Sequence, residues 1–267
     1  LVSSSAASDV YKRQVHDLIH EIYHKDFGKK NDFRPKEKIL DIADHIICVS
    51  QNTKRDLIKF YKVDEKKISV VYHGNTFQEF IHNRINPIFQ FKYFLYVGGR
   101  KRYKNYFSVI EAFKSNKQIY NDYKIIFVGG GKLLDSEKKK LVENNIDLSK
   151  LIFLDRTNDQ DLFNLYKNAV ALIYPSFYEG FGMPIIEAMS IGCPVISSNS
   201  SSLTEVFGDA AISFTPSSIS ELTNNIEKIA FDNDLRKKII DLGFKRSQKF
   251  SWERCIDKTL TIYNKII

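Results

Sequence analysis

From about residue 40 onward, short apolar runs alternate with longer amphipathic ones. The apolar runs are HIICVS (45–50), KISVVY (67–72), YFLYVG (93–98), YKIIFVG (123–129), KLIFLD (150–155), AVALIYP (169–175), CPVISS (193–198) and AISFT (211–215). They are nearly continuous in β-branched and aromatic residues, the mark of strands buried on both faces. Helical periods fall near 51–62, 104–116, 133–145, 158–168, 184–191, 219–231, 234–249 and 252–265. Strands and helices in alternation predict βαβ units around a parallel sheet, and hence a doubly wound α/β domain. The stretch GNTFQEFIHNRINPIFQFK (74–92) has no clear period and holds Gly74 and Pro87, so 76–92 reads as a linker. No repeat of fixed period is visible.

The chain starts at Leu1, and residues 1–9 (LVSSSAASD) are small and polar. LVSSSAASDVYKRQ lacks the apolar centre of a signal peptide. Residues 1–14 read as a translated linker or assembly scar and are set outside the fold.

Composition narrows the class. Hydrophobic residues make up 43% and charged residues 27%, which excludes a disordered or collagenous chain. No apolar stretch nears the length of a membrane-spanning helix. The net charge of +8 is spread, with 15 basic and 12 acidic residues in the first 90 positions. No basic motif interleaved with aromatics marks a nucleic-acid module. A mildly basic surface suits anionic small molecules or an anionic membrane face. Cys48, Cys193 and Cys255 lie too far apart for a disulfide framework or a thiolate zinc site, and read as small buried residues in a reducing compartment. His45, His73 and His82 carry no readable role.

In such sheets ligands bind at the carboxyl ends of the strands, and three strand ends stand out. VGGRKRYKN (97–105) follows Gly98-Gly99 with Arg100, Lys101, Arg102 and Lys104. Glycines let the backbone approach a ligand, and cations at a helix start suit a phosphate or diphosphate. A solvated basic loop is the plainer alternative. FVGGGK (127–132) lacks the P-loop spacing, carries Leu133 where Ser or Thr belongs, and fails G-x-G-x-x-G at Leu134. It reads as a tight strand-to-helix turn. The third is YPSFYEGFGMPIIEAMSIGCPVISS (174–198). Pro184 suits the first helical position, so the amides around Phe181, Gly182 and Met183 form an anion or hydroxyl site. Glu179 and Glu187 face the same crevice and can accept sugar hydroxyls while the cations hold phosphate.

These residues resemble glycosyltransferase family 4, retaining nucleotide-sugar enzymes of the GT-B fold. The matched pattern is Glu179, Gly180-Phe181-Gly182, Met183-Pro184 and Glu187, then Gly192-Cys193-Pro194-Val195. The likeness extends through LYVGGRKRYKN, FVGGG, LFNLYKNA and SSSLTEVFGDAA, and through HDLIHE at 16–21 and SQNTKRDL at 50–57. It covers essentially everything after residue 14. It implies a complete C-terminal Rossmann-like donor domain over 93–250 and a remnant of the N-terminal acceptor domain over 15–75. A final helix, 251–267, would cross back onto that remnant. About a hundred further N-terminal residues are expected of a complete member, so the chain reads as truncated.

Carried over by position, the resemblance gives Arg100 and Lys104 the donor diphosphate and the leaving-group charge. Gly98 and Gly99 let the backbone reach it. Glu179 would hold the transferred sugar, with Gly180 and the Phe181, Gly182 and Met183 amides beside it. Glu187 would accept the ribose hydroxyls, and the backbone at Arg156-Thr157 would meet the base. His16 would face the sugar across the cleft. Many members place the arginine six before the lysine or directly before it; here Arg100 is four before Lys104, and Arg102 could carry its role. Retention is described for the family as front-face attack, with no protein nucleophile, metal or cofactor. The expected reaction moves a hexose, mannose being a candidate, from a GDP- or UDP-sugar to a glycan or lipid-linked acceptor in bacterial surface polysaccharide synthesis. The setting would be cytoplasmic, at most peripheral to the membrane.

Three other readings compete. A truncated chain could bind nucleotide and transfer nothing. Two carboxylates could make a hydrolase pair, although the basic loop and helix start favour donor binding. His20-Glu21-Ile22-Tyr23-His24 matches the H-E-x-x-H zincin signature, and His16 would extend it along one helix face. A zinc hydrolase would use Glu21 as base and His20 and His24 as ligands.

Overall fold

A computed structural model describes residues 12–24, 36–77 and 86–266. The first part of the chain builds a three-stranded parallel sheet, ordered β1 (Lys12–Val15), β2 (His45–Cys48), β3 (Ile68–Val70). Two short helices, α1 (Ile19–Ile22) and α2 (Glu37–Asp41), lie between β1 and β2, and α3 (Gln51–Tyr61) connects β2 to β3. Ser50 caps α3 by accepting the Thr53 amide, and Lys62 ends it in the left-handed region at φ 50°. Residues 12–14, set outside the fold by their composition, pair in register with His45–Ile47. Their polarity fits an edge strand of which only Val15 is buried.

The larger sheet holds β4 (Tyr93–Val97), β5 (Lys124–Val128), β6 (Leu151–Leu154), β7 (Leu172–Tyr174), β8 (Val195–Ser198) and β9 (Ile212–Phe214). Its order is β6-β5-β4-β7-β8-β9, with every pairing parallel. Helices α4 (Tyr106–Ser115) and α5 (Lys117–Asp122) join β4 to β5, and α6 (Asp135–Glu143) joins β5 to β6. Then come α7 (Asp159–Asn168), α8 (Met183–Ile191), α9 (Leu203–Phe207), α10 (Ile219–Phe231) and α11 (Asn233–Ser247).

Both faces of this sheet are covered, which explains the unbroken apolar runs. Tyr93 and Leu95 pack with Phe163 and Tyr166 of α7 and Ile185 of α8. Their neighbours Phe94 and Tyr96 face the opposite layer, with Val109 and Phe113 of α4 and Leu222 of α10. The strand order, not the chain direction, reverses between β4 and β7, and ligands of such sheets bind outside the carboxyl ends of the strands at that switch point.

Two crossings link the sheets. Gly74 lies so close to the second that an added Cβ would sit 2.3 Å from the Trp252 nitrogen. The last helix, α12 (Trp252–Ile266), returns to the first sheet, where Cys255, Ile262 and Tyr263 pack on Ile47 and Val71. Of the expected linker, residues 78–85 lie outside those described.

Candidate active site

The site is assembled at the carboxyl ends of β4 and β7. After β4 the backbone turns through Gly98, whose φ of 146° is open to glycine. A 3-10 turn, Arg102–Lys104, then leads to Asn105 in the left-handed region at φ 53°. Four hydrogen bonds fix the turn. The Tyr96 hydroxyl donates to the Gly99 carbonyl (2.6 Å), the Asn105 amide group donates to the Pro175 and Pro216 carbonyls, and the Phe177 N–H donates to the Tyr103 carbonyl.

This turn aims Lys104 at Glu179. The ammonium donates to Oε1 at 2.7 Å and Oε2 at 2.9 Å. The two side chains are 16% and 8% exposed, so the pair is largely out of water. Ser176 Oγ donates to Glu179 Oε1 at 2.6 Å. From behind, the Glu179 N–H donates to Ser201 Oγ, and Ser202 Oγ donates to the carbonyls of Glu179 and Phe181. Tyr174 is buried and feels both acidic positions. Burial first, then the Glu179 and Glu187 carboxylates, raise its hydroxyl well above the usual tyrosine range.

Gly180 and Gly182 serve different needs. A Cβ on Gly180 would lie 1.9 Å from the His16 carbonyl oxygen, so the first sheet's segment rests on this loop. Gly182 has φ 114° and stands directly before α8. The amides of Gly182 and Met183 thus open the helix, where no intrahelical acceptor exists. Phe181 is buried, its ring among His73, Tyr72 and Phe250. Glu187 accepts from the Tyr166 hydroxyl at 2.8 Å; burial raises its pKa, against that hydrogen bond.

Arg100 is placed differently from Lys104. Its Nε and Nη2 donate to the two oxygens of Glu137 at 2.9 and 3.0 Å. Nη1 donates to the Gly129 and Gly131 carbonyls, and Nη2 also to Lys132. All five guanidinium N–H groups are therefore used inside the protein. The run Gly129-Gly130-Gly131, with φ of 90°, 82° and 79°, wraps around it, and a Cβ on Gly130 would meet Nη1 at 2.9 Å. That cradle is the physical reason for the glycine run. Arg102 is exposed on the turn, and Arg156 and Thr157 follow β6, Arg156 exposed and Thr157 half-buried.

His16 lies against the site through its backbone. Its carbonyl accepts from Thr53 Oγ1, and its ring stacks on His73 with centroids 5.5 Å apart. Burial, and then His16, lowers the pKa of His73. The geometry does not support a zinc site. The helix α1 spans only Ile19–Ile22, so His16, His20 and His24 do not share a helix face. Glu21 is bound by Lys36 Nζ at 2.7 Å and the Tyr61 hydroxyl at 2.8 Å. Among the described residues no group of three His, Cys, Asp or Glu is placed to hold a metal ion.

Thr53, Ser176, Ser201, Ser202 and Glu205 hold the site, and no residue-type pattern at a strand end marks them. The run Ser200-Ser201-Ser202 beside a resembling motif was the available signal.

A parallel two-sheet α/β chain with its site at the β4/β7 reversal defines a GT-B glycosyltransferase fold. The Anabaena protein HepE, solved in complex with UDP and glucose, superposes with a TM-score of 0.73 at 17% identity over 96% of this chain and 72% of its own, which shows the fold. The profile described as Glycosyl transferases group 1 matches residues 77–246, and Glycosyltransferase Family 4 matches 13–75. The chain belongs to the group 1 glycosyl transferases. It is 35% identical over 172 residues to O-antigen chain mannosyltransferase B of Escherichia coli, covering 64% of this chain and 45% of that protein. It is 32% identical over 238 residues to O-antigen chain mannosyltransferase RfbU of Salmonella typhimurium, covering 82% and 65%. The chain thus spans less than two thirds of either relative. Among the described residues no helix is long and apolar enough to cross a membrane.

Proposed function

We propose that this chain is the donor-binding part of a retaining hexosyltransferase acting on a nucleotide-diphosphate sugar. The observation that carries this reading is the Lys104–Glu179 pair at the strand reversal. An ammonium suited to phosphate and a carboxylate suited to sugar hydroxyls stand side by side, next to the open amides of α8. Two N–H groups of Lys104 are engaged by Glu179, and the third serves a phosphate oxygen. The exposed Arg102 adds charge to the diphosphate, whereas Arg100 shapes the loop beneath it. Glu187 takes the ribose hydroxyls, the backbone at Arg156-Thr157 meets the base, and His16 borders the sugar.

In the reaction the bond between the anomeric carbon and the diphosphate oxygen breaks. Lys104 and the helix amides stabilise the charge that develops on the leaving group. An acceptor hydroxyl attacks on the same face, and its proton passes to the departing phosphate. The protein supplies position and charge, and the transfer uses neither metal nor cofactor. The acceptor is a glycan or lipid-linked sugar in a bacterial surface polysaccharide, and mannose is the sugar, a choice supported by the names of the two relatives. The setting is cytoplasmic, with a peripheral approach to the membrane. Calorimetric titration with GDP and UDP in EDTA tests the reading. Saturable binding of one of them, lost in Lys104→Ala, is the expected result; a folded chain that binds neither overturns it.

A second reading is that the chain binds nucleotide without transferring sugar. Binding without transfer would then be its whole activity. Assay of the same chain with GDP-mannose and extracted lipid-linked acceptor separates the two.

A further inference from the structure

The loop that carries Glu179 is held by a ring of hydrogen bonds that runs through α9 and the turn before it, beside the larger sheet, and through α3, beside the first. Ser201 and Ser202 grip it from the turn before α9. One turn later in α9, the half-buried Glu205 reaches across to α3. Its Oε2 accepts the Gln51 N–H at 3.0 Å and its Oε1 the Asn52 N–H at 3.1 Å, and Oε2 also accepts the Tyr72 hydroxyl at 3.2 Å. Helix α3 closes the ring, because Thr53 Oγ1 donates to the Gly180 carbonyl at 3.2 Å. The Glu205 carboxylate sits on the positive end of an eleven-residue helix, satisfying two amides without intrahelical acceptors. Arg246 donates to the carbonyls of Glu205 and Val206 and fixes α9 from the far side.

We propose that Glu205 is a positioning residue for sugar transfer. It ties the start of α3 to α9 and so sets the orientation of the Gly180–Met183 backbone and of the Glu179 carboxylate. It touches no reacting atom. The inference rests on the glycosyl-transfer reading for its kinetic consequence, but its structural core does not.

Glu205→Gln tests it. The amide keeps one acceptor oxygen but turns a donor toward a second N–H, so one of the two helix contacts is lost. Glu205→Asp keeps the charge on a shorter arm. Residue-level hydrogen exchange should accelerate about tenfold in Glu205→Gln at Gln51 and Asn52 and also at Glu179, whose amide Ser201 holds, with the rest of the larger sheet unchanged. Affinity for GDP or UDP should stay within about threefold, while kcat for transfer falls about tenfold at nearly constant donor KM. Glu205→Asp should fall between the two. Faster exchange confined to residues 51 and 52, or uniform acceleration across the chain, overturns the proposal. If the wild-type chain neither binds nor transfers, the glycosyl-transfer reading fails, and the exchange at Glu179 still decides whether Glu205 holds the loop.

Discussion

The Lys104 ammonium lies 2.7 and 2.9 Å from the two carboxylate oxygens of Glu179, joining the end of β4 to the end of β7. Removing one partner of a largely buried pair leaves the other without compensation, at a cost of about 3–5 kcal/mol. Lys104 keeps some solvent contact, which places the cost at the lower end. For Lys104→Met we expect a drop in Tm of about 6–12 °C, at 2–4 °C per kcal/mol, with transfer reduced at least a hundredfold. The double variant Lys104→Met/Glu179→Gln should regain much of the Tm and none of the activity. Thermal unfolding and a transfer assay on the three proteins check this; recovery of activity in the double variant contradicts the role of the pair.

Arg100 gives a prediction that separates scaffold from site. Burial pushes the Glu137 carboxyl up, but the Arg100 hydrogen bonds and the Leu134 amide outweigh it, and the net shift is downward. A depressed carboxyl adds stability that is full above its unfolded pKa, about 4.3, and is lost as the pH falls through the lower folded value. Arg100→Gln removes the guanidinium that supplies much of this. Its stability deficit against wild type should be largest near neutral pH and should shrink below about pH 4. Urea unfolding at both pH values measures this. Nucleotide affinity should change less than about threefold in Arg100→Gln and more than about tenfold in Arg102→Ala; the reverse order would return the diphosphate to Arg100.

How much of this was legible depended on burial. The inner strands β2, β4, β5, β7 and β8 show in the sequence because they are almost wholly buried, which leaves unbroken apolar runs. Strand β1 does not show, because Lys12, Arg13 and Gln14 lie at an edge and keep polar side chains. Helix α5 hides for a related reason: of KQIYND only Ile119 is buried. At the site, Glu179, Lys104 and the glycine loop follow from residue types at strand ends. The different placements of Arg100 and Lys104 do not, since spacing alone cannot say that Gly129–Gly131 fold around a guanidinium. The H-E-x-x-H match misleads because a pattern of letters carries no helix length, and α1 stops at Ile22. Glu205 lies within the SSSLTEVFGDAA likeness, but its partners are not legible there, since the Asn52 amide that it accepts is 153 residues away.

Glu187 tests the ribose contact without damaging the fold. Burial raises its pKa, and a raised carboxyl costs stability above its unfolded value of about 4.3, where the folded state must hold an unwelcome charge. Glu187→Gln removes that charge and keeps an oxygen for the Tyr166 hydroxyl. Its stability at pH 7 should equal or exceed that of wild type, and the difference should close as the pH falls below about 4. Nucleotide affinity should fall about tenfold to a hundredfold, the range for losing hydrogen bonds to a charged acceptor. Chemical unfolding and calorimetry on one preparation give both numbers. Unchanged affinity removes Glu187 from the site.

Gly180 and Gly99 make a matched pair for the contact between the two sheets. Gly180 does not need a left-handed backbone; what excludes a side chain there is the His16 carbonyl oxygen, 1.9 Å from an added Cβ, and the Asp17 Cβ at 2.9 Å. Both are held by their own contacts, His16 by Thr53 and Asp17 by the Ile19 amide. The Gly180→Ala methyl must therefore push the segment after β1 off the loop. Overpacking of this kind costs about 1–3 kcal/mol, and the His16–His73 stack moves with it. Gly99 borders the same crevice with nothing within 4 Å of an added Cβ, so Gly99→Ala should stay within about 0.5 kcal/mol of wild type. Hydrogen exchange should then accelerate at Val15–Ile19 in Gly180→Ala alone. Equal exchange in the two variants means that this contact does not hold the first sheet against the sugar loop.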